Sequence, residues 1–286
     1  MPVEPPGQLR SEQLHVLTED MRLLRVNANH PSRVLSDTAL QGLAPGDVLV
    51  GIDYRVARGV LYGLSRQGRI YMINTDSGKL MQVASVALPT LQGEQFGFDF
   101  NPTVDRMRVV SNRGANLRLH PDSGVQIDGN ANVEGLQGDT ALHYLPDDVN
   151  AGKVPAVMAA AYTYNARNDK LTTMYAIDAR EGTLVMQGSK EGVQPFVSPD
   201  KGGLRTIGSL GLPGWDVIGL HPGGQGYGAI QRAAFDISDV KNIALLAASQ
   251  RLGASQLYEV NLESGRATRL GRIAQGQPLA GLAIIP

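Results

Sequence analysis

From Leu14 onward the apolar residues fall into short alternating runs, not at helical spacing, so the chain reads as a succession of strands. The first is LHVLTED, followed by MRLLRVNA and PSRVLSDTAL. Strands are then predicted near 49–55, 60–66, 68–75 and 80–87, each bounded by turn residues. The same layout recurs over 96–127. Further strands read at 157–164, 171–178, 183–187 and 204–210, then at 234–237, 243–249, 255–261 and 267–273, and the chain closes on LAGLAIIP at 279–286. The segment 171–178 matches either the second or the third strand of the earlier unit. Residues 128–155, rich in Gly, Asn and Asp, read as a long loop, as does 188–203. No amphipathic helix connects the strands, which removes α/β folds.

The pattern repeats. Residues 51–78, GIDYRVARGVLYGLSRQGRIYMINTDSG, align without a gap on 97–124, GFDFNPTVDRMRVVSNRGANLRLHPDSG. Identities fall at Gly51/Gly97, Asp53/Asp99, Ser65/Ser111, Gly68/Gly114 and the whole Asp-Ser-Gly turn ending at Gly78 and Gly124. In that turn a carboxylate or hydroxyl is expected to cap the corner, with glycine free to take positive φ. An ungapped repeat of this length marks one supersecondary unit used several times.

The two ends are complementary. Residues 14–39 resemble a unit without its first strand, and Gly281-Leu282-Ala283-Ile284 has the form of that missing strand. First strands at 51, 97, about 160, 234 and 281 count five units. The prediction is an all-β, five-bladed β-propeller closed by pairing of its N- and C-terminal strands, which leaves no open ring edge. A sixth blade is possible if 217–230 forms its own sheet. A β-sandwich is the rival fold, but it does not explain complementary ends.

Composition narrows the function classes. With 286 residues, 42% hydrophobic and 19% charged, the chain can bury one large core, read as a single domain over 14–286 after a flexible tail at 1–13. A net charge of −1 and no basic stripe argue against nucleic acid. The absence of cysteine excludes disulfides, thiolate metal sites and cysteine nucleophiles. No apolar run is long enough for a transmembrane helix. The opening MPVEPPGQLRSEQ lacks the basic and apolar regions of a signal peptide and resembles the tether after a cleavage or lipid-attachment site. A monomer is expected.

The stretch FGFDFNPTVDRMRVVSNRGANLRLHPDSG, with VGIDYR, LYGL, AAYTY and the closing LAGLA, resembles the DUF4394 family, bacterial domains of unknown function, over roughly 14–286. The resemblance implies a propeller-like β fold and no assigned catalytic residues. It also implies members that often carry export or lipoprotein signals, hence a periplasmic or other extracytoplasmic location if this is a mature form, and a cytoplasmic one otherwise.

Two constellations carry candidate chemistry. Asp53, Asp99 and Asp236 occupy the same place in three first strands, which line the channel of a propeller. They are candidate ligands for Ca²⁺ or another divalent ion, which takes several oxygens, or carboxylates accepting N–H bonds between blades. The second is Asn101, Asp105, Arg106, Arg108, Asn112 and Asn116, with Arg118 nearby. Arg106, Arg108, Val110 and Asn112 alternate onto one strand face, the two arginines suited to clamping a carboxylate or phosphate or to pairing with Asp99 and Asp105. His15, His30, His120, His143 and His221 show no zinc spacing. The glycine-rich 223–228 lacks the Lys and Ser/Thr of a phosphate loop, and Trp215 with Tyr227 could stack on a sugar. The functional expectation is a non-enzymatic propeller binding a small molecule, glycan or protein partner through loops 128–155 and 188–231. The alternatives are a metal-dependent propeller hydrolase or lactonase, and a structural module.

Overall fold

The short apolar runs become strands because each sheet is covered on both faces by its neighbours, so strands such as Leu49–Arg55 and Phe96–Asn101 are buried along almost their whole length. The computed structural model of the chain describes residues 10–83, 91–212, 230–239, 241–250 and 253–286. The first blade takes β1 (Gln13–Thr18), β2 (Arg22–Asn27) and β3 (His30–Ala39), and the second takes β4 (Leu49–Arg55), β5 (Val60–Ser65), β6 (Ile70–Ile73) and β7 (Leu80–Gln82). The third has β8 (Phe96–Asn101), β9 (Arg106–Ser111) and β10 (Asn116–Leu119). After β11 (His143–Tyr144), the fourth runs through β12 (Val157–Tyr162), β13 (Met174–Asp178), β14 (Thr183–Gln187) and β15 (Gly203–Ser209). The fifth holds β16 (Ile230–Ile237), β17 (Ala244–Gln250), β18 (Gln256–Val260) and β19 (Ala267–Arg272). The last strand, β20 (Leu279–Ile284), returns to the first blade and pairs antiparallel with β1, Leu14 opposite Ile284 and Leu17 opposite Gly281. The fold is a five-bladed β-propeller with the ring closed in this way.

The inner strands β20, β4, β8, β12 and β16 touch one another in sequence around the ring. Between each pair of neighbouring blades lies a hydrophobic cluster. Leu17, Ile52 and Leu61 join the first blade to the second, and Tyr62, Phe98 and Val109 the second to the third. Val110 and Tyr162 join the third to the fourth, Ile177 and Phe235 the fourth to the fifth, and Leu245 and Leu282 the fifth back to the first. The core is thus a ring of inter-blade seams. At the channel the strands approach closely enough to require glycine: a Cβ on Gly97 would stand 2.7 Å from Ala160 N, and one on Gly51 would stand 2.8 Å from the Phe98 Cβ.

Several expectations need correction. The predicted loop 128–155 contains β11, which adds a parallel fifth strand outside β15. The third blade has three strands, not four, and an isolated bridge between Leu119 and Gln126 stands at its outer edge. The Met174–Asp178 strand pairs with β12 and β14 as the second of its blade, which settles its ambiguous register. At the turn of Gly78, which takes φ +71°, the Ser77 hydroxyl accepts the Lys79 N–H at 3.4 Å as expected, but the second cap is not the Asp76 carboxylate; it is Asn74, whose Oδ1 accepts the Ser77 N–H at 2.9 Å. Asn261 does the same for Ser264 at 2.9 Å, so the cap is an Asx turn set at the end of the strand. Most of 217–230, with Trp215, His221, Tyr227 and the glycine-rich 223–228, lies outside the described residues; Ile230 begins β16.

Candidate functional site

The three first-strand carboxylates do converge. Asp53, Asp99 and Asp236 are buried, and each presents an oxygen within 4.8 Å of the other two. Among the described residues they form the one such cluster of metal-ligating side chains. Each also accepts a backbone N–H from the next inner strand: Phe100 N to Asp53 at 2.7 Å, Tyr162 N to Asp99 at 2.8 Å, and Ile284 N to Asp236 at 2.5 Å. The residues just before Tyr162 and Ile284 are Ala161 and Ala283, so two of the five equivalent places carry a methyl group in place of a carboxylate. The carboxylates therefore staple blades together and also concentrate negative charge at the axis.

Burial pushes all three above the ordinary carboxylate range, Asp236 to about 7, and the neighbouring charges drive Asp53 and Asp99 further in the same direction. A raised folded-state value means the folded protein keeps protons that the unfolded chain has released. The stability contribution is present in full below about pH 4 and is lost as pH rises through the folded values. The thermal midpoint is therefore expected to fall from pH ~5 to pH ~8 in chelator-treated protein. Asp99→Asn keeps an oxygen for the Tyr162 N–H but removes one charge, and should flatten that fall; an unchanged slope would refute the assignment.

A cavity of about 50 Å³ opens above the triad and is shared by Arg55, Asp105, Tyr164 and Asp239. Asp105 is committed there. Arg55, only 3% exposed, donates Nε to Asp105 at 2.9 Å and Nη1 to Asp122 at 2.5 Å, tying the second blade to the third. Neither Arg55 nor Asp122 stands out in the sequence, because their partnership spans two turns of different blades.

Beside this mouth, between the third and fourth blades, lies a second cavity of about 570 Å³. Asn101 and Tyr162 border both. Arg106 and Arg108 line it together, as their strand alternation predicts. The expected pairing of these arginines with Asp99 and Asp105 is wrong. Arg108 reaches Asp139 at 2.6 Å, Asp200 at 2.5 Å, the Asn116 Oδ1 at 2.9 Å and the Tyr162 hydroxyl at 3.1 Å. Asp99 and Asp105 are already engaged, by the Tyr162 N–H and by Arg55. Burial opposes the Arg108 charge, but Tyr162, Asp200 and Asp139 outweigh it and hold the guanidinium firmly protonated. Arg118 grips Asp139 with two bonds of 2.8 Å. Asn116 donates to Thr140 O and Pro199 O at 3.0 and 3.1 Å, so loops from the third and fourth blades are pinned into one wall.

The remaining candidates separate. Asn101 turns its Oδ1 back onto the Thr103 N–H at 2.9 Å. Asn112 sits at the opposite end of β9 from Arg106 and accepts the Glu94 N–H at 3.0 Å, away from both cavities. The acidic half of the Arg108 network, Asp139 and Asp200, lies in loops where no spacing marks it. The cleft rim is apolar and open: Phe196 is 61% exposed, Val104 55% and Val193 48%.

A family model described as a domain of unknown function, DUF4394, matches residues 22–283. No curated protein matches the chain. Among solved structures, a structural-genomics protein of unknown function from Bacteroides thetaiotaomicron aligns with a TM-score of 0.47 at 10% identity. That alignment covers 92% of this chain, which spans 58% of that protein's length. The computationally designed Ika4 protein aligns with a TM-score of 0.31 at 12% identity, over 78% of this chain and 97% of its own.

Proposed function

The chain belongs to the DUF4394 family, a domain of unknown function, and from that premise we propose that it is a non-enzymatic binding propeller whose ligand site is the cleft between the third and fourth blades. The observation that carries this reading is the pairing of a rigid polar floor with an exposed apolar rim. Arg108, in the lining, is bonded to the buried side chains of Asn116 and Asp139 behind it, so the floor is pre-organised. Phe196, Val104 and Val193 instead leave apolar surface in water at the edge of a cavity sized for a small molecule. Covering that surface with a ligand is favourable by roughly 25 cal/mol per Å² of apolar area, offset by the ligand's lost freedom.

A thermal-shift screen of small metabolites and short glycans tests this, because a ligand selective for the native state raises the midpoint. The double variant Phe196→Ser/Val104→Ser is expected to fold normally, since both residues are exposed, and to lose the shifts seen with wild type. Shifts retained in full by the variant would place the site elsewhere.

A second reading, a metal-dependent hydrolase or lactonase, is favoured by one observation, the convergence of the three channel carboxylates within 4.8 Å. A divalent ion there would offset their repulsion. At pH ~8, where the triad is most charged, Ca²⁺, Mg²⁺, Mn²⁺ or Zn²⁺ should then raise the midpoint of chelator-treated protein, and Asp99→Asn should abolish the rise. If none of the four ions has an effect, this reading is refuted and the carboxylates are inter-blade staples.

A further inference from the structure

We propose that the cleft takes a small organic anion, a carboxylate or phosphate group carried on an apolar body; this rests on the reading of the cleft as the binding site. Four cationic side chains line it, Arg106, Arg108, Arg118 and Lys170. Two are spoken for, since Arg108 and Arg118 are neutralised by Asp139 and Asp200 and hold the wall. The other two are not. Arg106 donates only to main-chain carbonyls, Asp105 O at 2.9 Å and Val104 O at 3.3 Å, and Lys170 is exposed with no acidic partner among the described residues.

The remaining carboxylate of the lining, Glu191, offsets one of these two charges and leaves the lining with one net positive charge. One of its oxygens receives Asn165 Nδ2 at 3.2 Å, and the other is shut away from solvent. Arg106 thus keeps unused guanidinium donors in a half-buried position, next to apolar Val104, at the lip of a cavity that also offers Phe196 and Val193. A charged donor beside water-excluding side chains binds an anion more strongly than one in open solvent, because the local dielectric is lower. A ligand with one anionic end and one apolar end satisfies both halves of the cleft together. A cationic or wholly polar ligand would satisfy one half and oppose or waste the other.

The test is calorimetric titration with three probes of equal chain length, each below its micelle threshold: octanoate, octyl phosphate and octyltrimethylammonium. Both anions are expected to bind one per chain, with the cation at least about tenfold weaker. Arg106→Gln/Lys170→Gln should weaken both anions by about tenfold or more and leave the cation bound at least as tightly as by wild type. A preference for only one of the two anions would identify the headgroup within the same chemistry. If the cation binds as well as the anions, or the double variant binds the anions unchanged, the anion proposal is overturned. In that case a loss of all three probes in Phe196→Ser would still leave the cleft as the site. If no probe binds wild type, the anion proposal is overturned, while the reading of the cleft still stands or falls on the thermal-shift screen and its Phe196→Ser/Val104→Ser variant.

Discussion

Deleting residues 279–286 is expected to yield a chain that no longer unfolds cooperatively. That segment carries β20, the inner strand of the first blade, and among the described residues it is the only piece of that blade supplied from the far end of the chain. Its loss strips β1 of one partner strand, and removes Leu279, Leu282 and Ile284 from the seam between the fifth and first blades. Burying one such side chain contributes roughly 1.5–3 kcal/mol, so the three together account for roughly 5–9 kcal/mol. A whole domain is stable by only about 5–15 kcal/mol. The Asp236 carboxylate would also lose the Ile284 N–H while remaining in a half-dismantled channel. Circular dichroism during urea titration should show a broad, low-midpoint loss of strand signal. A truncated protein with a sharp transition at the wild-type midpoint would contradict ring closure through β20.

Arg108→Met is expected to be the most damaging point substitution outside the apolar seams. The guanidinium is 3% exposed and satisfies two carboxylates, an amide and a tyrosine hydroxyl. Removing one member of a buried ion network costs about 3–5 kcal/mol, because the partner charge is left uncompensated. The lower end is expected here, about 3 kcal/mol, since Arg118 still holds Asp139. Arg108→Lys should recover little of the loss, because an ammonium cannot reproduce the fork that spans Asp139 and Asp200. Equilibrium urea unfolding measures both variants. A cost below about 1 kcal/mol would mean that the network is solvated and does not hold the cleft wall.

Much of the ring was legible in the sequence because repetition is a strong signal. The ungapped match of 51–78 with 97–124 aligned Asp53 with Asp99, and the structure places both in the channel. The fragmentary first unit and the lone Gly281–Ile284 segment pointed to closure, and β1 and β20 do pair. What escaped was irregular. A two-residue strand such as β11 carries no periodicity, and nothing in the sequence marks the third blade's missing outer strand. The site was legible by halves. Strand alternation put Arg106 and Arg108 on one face, but their surroundings depend on contacts across the fold. Arg108 meets Asp139 across 31 residues and Asp200 across 92, and neither aspartate sits in a repeat. Alternation puts Asn112 on the same face as Arg106 and Arg108, but the length of β9 carries it to the opposite end of the blade. The glycines of the inner strands were visible as repeated letters, yet only the approach of Ala160 to Gly97 explains them.

The most direct measurement is hydrogen exchange by mass spectrometry, with and without the compound that gives the largest thermal shift. Slowed exchange is expected in 104–108 and 189–200, the two sides of the cleft, with little change at the channel mouth in 236–239 and 282–286. Protection confined to the channel-mouth segments, with the cleft unaltered, would contradict the reading of the cleft as the site and would make the carboxylate triad the functional centre.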